Sequence, residues 1–260
     1  YKEPNLFKRE AWRYEKENEG APLNLTGIIY SEMQGSTDGI ENAEVRNCLK
    51  ALFPTGTMSN ASGGTPEAIP TLTYEDVLKV HETYYHPSNA LIVLYGDLDY
   101  RSFLKLLDEN YLSQYDKKAI TVDYKDEKPF TTVANKTYDF PAGENATTDE
   151  SIISYAYAMT DISQTDRVGM SIIAEYLNQG SSIVQKAFKR ANIGNTLEVY
   201  YEDSLPQPVL VFSVANTSPS KKEVLGRIVD ESMKALVTKG FDETVLEMII
   251  ANTRSEEHTS

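Results

Sequence analysis

The stretch ALIVLYGDL, residues 90–98, constrains this chain more than any other. It is a near-continuous apolar run rich in β-branched residues, and it reads as a buried strand. A buried strand must give its backbone N–H and C=O groups to neighbouring strands and take apolar cover from helices. The flanks offer that cover. Thr73 caps a helix, with Asp76 at the third helical position as a short variant of the capping box; the helix carries Val77, Leu78, Val80 and Tyr84 and ends before Pro87. An amphipathic helix with Phe103, Leu104, Leu106 and Leu107 comes after the strand.

The pattern returns in kind further on. Strands are expected near 130–140 and 151–159, then a helix over 164–178 carrying Val168, Ile172 and Ile173, and a second helix over SSIVQKAFKRAN. TLEVYYED and PVLVFSVAN alternate well enough for a sheet with one wetter face. A helix over 221–239 meets Gly240 where a helix stop wants glycine, and a last helix begins at Asp242. Strand runs alternating with helix pairs predict an α+β fold, with mostly antiparallel sheets covered by helices. Two such units in succession suggest a duplication. The polar, charged stretch around 113–129 is the best linker candidate. The expected division is therefore a first α+β domain over 1–115, a linker over 116–128 and a second domain over 129–253. Both ends read as cut. Residues 254–260, RSEEHTS, break the stripe Val245, Leu246, Ile249, Ile250 and look like a translated sequencing adapter, so the natural sequence is expected to stop near Thr253.

Charge and cysteine narrow the function classes. The formal net charge of −14 argues against a nucleic-acid surface, which needs a basic stripe. No apolar run reaches membrane-spanning length, so no membrane partner is expected. Cys48 is the only cysteine, which suits a reducing, intracellular compartment.

Candidate sites are few. In GIIYSEMQG, residues 27–35, Leu25, Ile28, Ile29, Glu32 and Met33 fall on one stripe at helical spacing. Glu32 thus takes a slot where the period asks for Leu or Ile. A carboxylate there either escapes to solvent at a helix end or needs a partner: an ion pair, hydrogen bonds or a metal. The stretch TGTMSNASGGTPEAIPTLT is a loop, and its Gly63-Gly64 pair would let the backbone adopt positive φ or approach a ligand closely. HETYYH brings His81 and His86 beside Glu82, but the histidines are five apart, not four as in H-E-x-x-H, and Pro87 ends the helix at once. His81 reads as a surface or packing residue and His86 as part of a cap. No nucleophile elbow, P-loop or dinucleotide fingerprint is present. Five Asn-x-Ser/Thr matches, among them Asn24 and Asn145, are of a number that chance explains.

Several segments, in order, resemble the insulinase (pitrilysin-type) zinc metallopeptidases, and among them the presequence-protease branch. They are FKREAWRYE, GIIYSEMQG, SGGTPEAIPTLTYEDVLKVHETYYHPSNALIVLYGDLD and, more loosely, 151–253. The branch's Gly-hydrophobic-hydrophobic-aromatic-Asn-Glu-Met-Lys-Gly element is matched with Ser31 for the Asn and Gln34 for the Lys. The resemblance implies an α+β pair of metallopeptidase-type domains, the first lacking its start, and one Zn2+ in the intact protein. It makes Glu32 the third zinc ligand, flanked by Ser31 and Gln34, which would tune it. It places the loop at Ser62, Gly63 and Gly64 near the substrate. The family's H-x-x-E-H segment, its substrate-binding edge strand and the second half closing its peptide chamber are missing from this chain. The expectation is a fragment, inactive alone, of a zinc metalloendopeptidase that degrades short unfolded peptides inside a chamber completed by the rest of its polypeptide. It would work in a bacterial cytoplasm or a eukaryotic organelle matrix. The alternative is a non-catalytic scaffold or peptide-binding homologue.

Overall fold

The computed structural model describes residues 2–37, 39–122, 124–141, 144 and 146–257. In chain order the elements are α1 (Pro4–Glu10), β1 (Arg13–Glu15), β2 (Asn24–Thr26), α2 (Ile28–Thr37), α3 (Ile40–Leu52), α4 (Tyr74–Tyr84), α5 (Tyr100–Asn110), β3 (Ser151–Ala158), α6 (Gln164–Asn178), α7 (Ile183–Ala191), β4 (Thr196–Glu202), β5 (Val209–Thr217), α8 (Lys222–Lys239) and α9 (Glu243–Glu257). They form two compact units. The first comprises Tyr1–Thr37 and Ser62–Tyr124, the second Asp38–Ala61 and Lys125–Ser260. Residues 38–61 thus group with the later part of the chain. The α9 helix runs past Thr253 to Glu257, so the stripe break at Arg254 does not end it. The rest of the expected tail, with His258, and the Asn145 match lie outside the described residues.

In the first unit, Pro4 opens α1, its fixed φ suited to a first helical turn. A β1–β2 hairpin comes next, with Arg13 opposite Thr26. The Trp12 indole N–H donates to the Leu72 carbonyl at 3.0 Å, and Phe7 packs its ring 6.1 Å from Tyr74, tying the start of the chain to α4. Gly27 lies so close to the chain that a Cβ there would stand 2.2 Å from the Ala11 carbonyl oxygen. The expected capping box at α4 is formed: Thr73 and Asp76 exchange both bonds. The 90–98 run is not the buried strand its composition predicts. Among the described residues it has no ladder partner, and Leu91 is 90% and Tyr95 95% exposed. Among the described residues this unit's only sheet is the short β1–β2 pair, and the run does not join it.

The second unit holds the main core. Its sheet runs β3-β5-β4, antiparallel throughout, with Val214 opposite Ile153 on one side and Leu197 on the other. Alternation along β5 sends Leu210, Phe212 and Val214 to a face covered by Leu177, Val184, Phe188, Leu225, Val229 and Ile249 of the α6–α9 layer. Val209 and Val211 turn the other way, onto Leu52 and Phe53 at the end of α3. Because α3 covers this second face, β5 is buried from Val209 to Val214 on both sides and lacks the wetter face expected of it; β4 keeps the alternation. The strand expected near 130–140 carries no ladder among the described residues. A cavity of about 1640 Å³ is lined by this segment, β3, α3 and α8.

Candidate functional site

The residues singled out by sequence all lie in the first unit, on α2 and the loop at 62–64. The second turn of α2 carries Glu32. The stripe expected to be buried is open in part: Leu25 belongs to β2 and not to the helix, Ile28 is 54% exposed, Ile29 is also exposed, and Glu32 beside them lies in solvent. Leu25 and Met33 of the same stripe are half-buried. Among the described residues Glu32 has no ion-pair partner. Ser31 is exposed, with its N–H on the Gly27 carbonyl at 2.9 Å, and Gln34 is exposed.

The loop does meet α2. Gly63 and Gly64 have φ of 84° and 86°, the left-handed region that only glycine enters without cost. A Cβ on Gly63 would come within 2.6 Å of the Met33 sulfur, and one on Gly64 within 3.2 Å of Ile69 Cγ1. The loop therefore seats its backbone on Met33, the residue after Glu32, while Ser62 faces solvent. Thr65 fixes the turn over residues 65–69, its carbonyl accepting from the Ala68 and Ile69 N–H groups.

The histidines have structural partners. His81 stacks on Tyr85 with ring centroids 4.6 Å apart. His86 Nδ1 accepts from the Ser88 N–H at 3.1 Å, capping the turn at Pro87, and meets Tyr115 edge-on. Among the described residues no three His, Cys, Asp or Glu side chains converge as a metal site. A catalytic zinc needs three protein ligands. Glu32 can offer one, so the described residues do not fit a zinc ion by themselves.

The second unit holds polar constellations that no sequence signal announced, because their partners are far apart in the chain. Ser154 Oγ donates to Glu44 at 2.5 Å. Cys48 lies beside them, and burial pushes its thiol up to about 11, which makes it a poor nucleophile. Asp230 accepts from the hydroxyls of Tyr155 at 3.2 Å and Tyr157 at 3.3 Å, and burial together with that carboxylate raises both phenols. Arg167 donates to the carbonyls of Asp203, Leu205 and Pro206 and so holds the β4–β5 turn. None of these sets contains an activated nucleophile.

An antiparallel sheet with helices on both faces defines an α+β domain, and no three metal-ligating side chains converge among its described residues. The family is then plain: the Peptidase M16 inactive domain matches residues 71–253, and the chain belongs to that family. Protein HypA of Clostridium perfringens is 28% identical over 259 residues, covering 98% of this chain and 27% of the relative. The mitochondrial presequence protease of Danio rerio is 26% identical over 262 residues, covering 94% of this chain and 25% of its own length. The chain thus spans about a quarter of the length of these curated relatives. The solved structure of a peptidase M16 inactive domain from Pseudomonas fluorescens superposes with a TM-score of 0.63 at 14% identity, covering 87% of this chain and 53% of that one. At that identity the likeness concerns the fold. No helix among the described residues is long and apolar enough to cross a membrane.

Proposed function

We propose that this chain is part of a longer zinc metalloendopeptidase that degrades short, unfolded, presequence-like peptides, and that Glu32 is one of the metal's ligands there. The observation that carries the reading is the open face of α2: a carboxylate among the exposed apolar side chains Ile28 and Ile29. A surface of that kind is stable when covered, and a carboxylate beneath cover is stable when compensated, for which a metal serves. Relatives named as presequence proteases, which extend well beyond this chain, support the same reading. When bound, zinc supplies an activated water and polarises the scissile carbonyl. The residues of this chain do the positioning. The α2 backbone holds Glu32, Ser31 and Gln34 flank it, and the Gly63 loop on Met33 fixes the helix rotation beside the path a peptide would take. One ligand cannot hold a catalytic zinc, so the isolated chain is inactive. The remaining polypeptide supplies the other ligands and closes the chamber, in the cytoplasm of a bacterium or the organelle matrix of a eukaryote.

A second reading is favoured by one observation. The family match is to an inactive domain, and its span of 71–253 excludes Glu32. On that reading the parent is a non-catalytic scaffold. The coding sequence upstream of this chain separates the two. An in-frame H-x-x-E-H segment, with peptide hydrolysis by the longer protein, supports the peptidase. A continuing fold without that segment, and no hydrolysis, supports the scaffold.

A further inference from the structure

The β3 strand stands at one end of the β3-β5-β4 order, so its outer edge has no partner among the described residues. It is an unusual edge. Its sequence, SIISYAYA, carries no charge and no proline, and all eight residues are half-buried. Edge strands of soluble proteins are ordinarily blunted by Lys, Pro or a covering element. Along this edge lies the 1640 Å³ cavity, and residues 130–140 form part of its wall.

The chain is held so that this segment can enter only one way. At its start, the Glu127 N–H donates to Gln207 Oε1 at 2.8 Å, and Gln207 Nε2 donates back to the Glu127 carbonyl at 2.9 Å. Gln207 directly precedes Pro208, whose carbonyl accepts from Met159, and Val209, which pairs with Ala158. Residue 127 is therefore fixed at the Ala158 end of β3. A second clip joins Thr57 to Lys125: the Thr57 N–H donates to the Lys125 carbonyl at 3.0 Å, and the Lys125 N–H donates to Thr57 Oγ1 at 2.8 Å. At the other end, a capping box between Thr147 and Glu150 delivers the chain to Ser151. The segment must travel from the Ala158 end of β3 towards the Ser151 end, antiparallel to it. At about 3.4 Å per residue, residues 130–140 reach about 37 Å, more than the length of β3.

We propose that residues 130–140 close onto the free edge of β3 as a fourth antiparallel strand. Alternation sets the face. Phe130, Ala134, Tyr138 and Phe140 share one parity, interrupted by Thr132 and Lys136, whereas Thr131, Asn135, Thr137 and Asp139 share the other with Val133. The apolar parity stands with Ile153, Tyr155 and Tyr157, which already pack against the α6–α9 layer. Closure fills the cavity and removes the bare edge.

Cross-strand disulfides test this, because only directly opposed side chains come within bonding range. In a Cys48→Ser background, Ala134→Cys is paired in turn with Ile153→Cys, Tyr155→Cys and Tyr157→Cys, and Val133→Cys is paired with the same three. The proposal predicts an intramolecular disulfide from one Ala134→Cys pair, formed at least about tenfold faster than from any Val133→Cys pair. Equal rates, no disulfide, or disulfides only between two chains would overturn it, the last by making a second copy the occupant. Hydrogen exchange on the unsubstituted chain gives an independent readout. Slowing of at least about tenfold over 130–140 supports closure, and exchange at the rate of an unstructured peptide refutes it.

Discussion

Gly63→Ala puts a number on the contact between the loop and α2. The native φ of 84° lies in the left-handed region, where an L side chain costs about 1–2 kcal/mol. The added Cβ would also sit 2.6 Å from the Met33 sulfur. That atom ends a flexible side chain, so it can move aside, at about 0.5–1.5 kcal/mol for an off-rotamer displacement. Together these give a loss of about 1.5–3.5 kcal/mol, read as a fall in urea midpoint at unchanged slope. A double-mutant cycle separates the parts. Met33→Ala removes the obstruction but leaves the backbone strain, so the pair Gly63→Ala and Met33→Ala should couple by about 0.5–1.5 kcal/mol. A Gly63→Ala variant within about 0.5 kcal/mol of the parent, or no coupling, would refute the contact and the fixed rotation of α2 beside Glu32.

The same geometry yields three further outcomes. Phe212→Ala, at a fully buried position, should destabilise the second unit by about 3–5 kcal/mol, whereas Leu91→Ala, at 90% exposure, should change the isolated chain by less than about 0.5 kcal/mol by chemical denaturation. The Glu127 carboxylate accepts from the Thr55 N–H at 2.7 Å, the Thr55 hydroxyl and the Gly56 N–H, which hold its pKa below the ordinary range; the stability this adds is present above the unfolded carboxyl value and lost as pH falls through the lowered folded one, and Glu127→Gln should remove that acid-side loss from the pH dependence of the midpoint. The Tyr201 hydroxyl is buried with no hydrogen-bond partner among the described residues, so Tyr201→Phe should leave stability unchanged or raise it by up to about 1 kcal/mol in thermal unfolding.

What could be read from sequence was local. The Thr73–Asp76 box, the α6 span and the Gly240 stop rest on groups a few residues apart, and the structure forms each. The positive φ at Gly63 and Gly64 was legible for the same reason. Long-range placement was not. Nothing in Leu49, Leu52 and Phe53 says that α3 covers β5, and nothing in Glu127 points to Thr55. The composition of 90–98 announces burial and the run stands exposed, whereas the period around Glu32 left solvent or a partner open and the side chain lies in solvent. Periodicity reports the surroundings a segment is suited to, whereas the structure reports those that 260 residues supply. The two disagree at Ile28 and Ile29 of α2 and along 90–98, where apolar side chains stand exposed.

The most direct test of Glu32 is metal content. The longer protein carrying this chain, and its Glu32→Gln variant, would be dialysed against limiting zinc and assayed for bound metal by atomic absorption. The account predicts about one zinc per chain in the parent and an affinity at least about tenfold weaker in the variant, because a three-ligand site loses a ligand. Equal zinc content and affinity in both would contradict it and leave Glu32 a surface carboxylate.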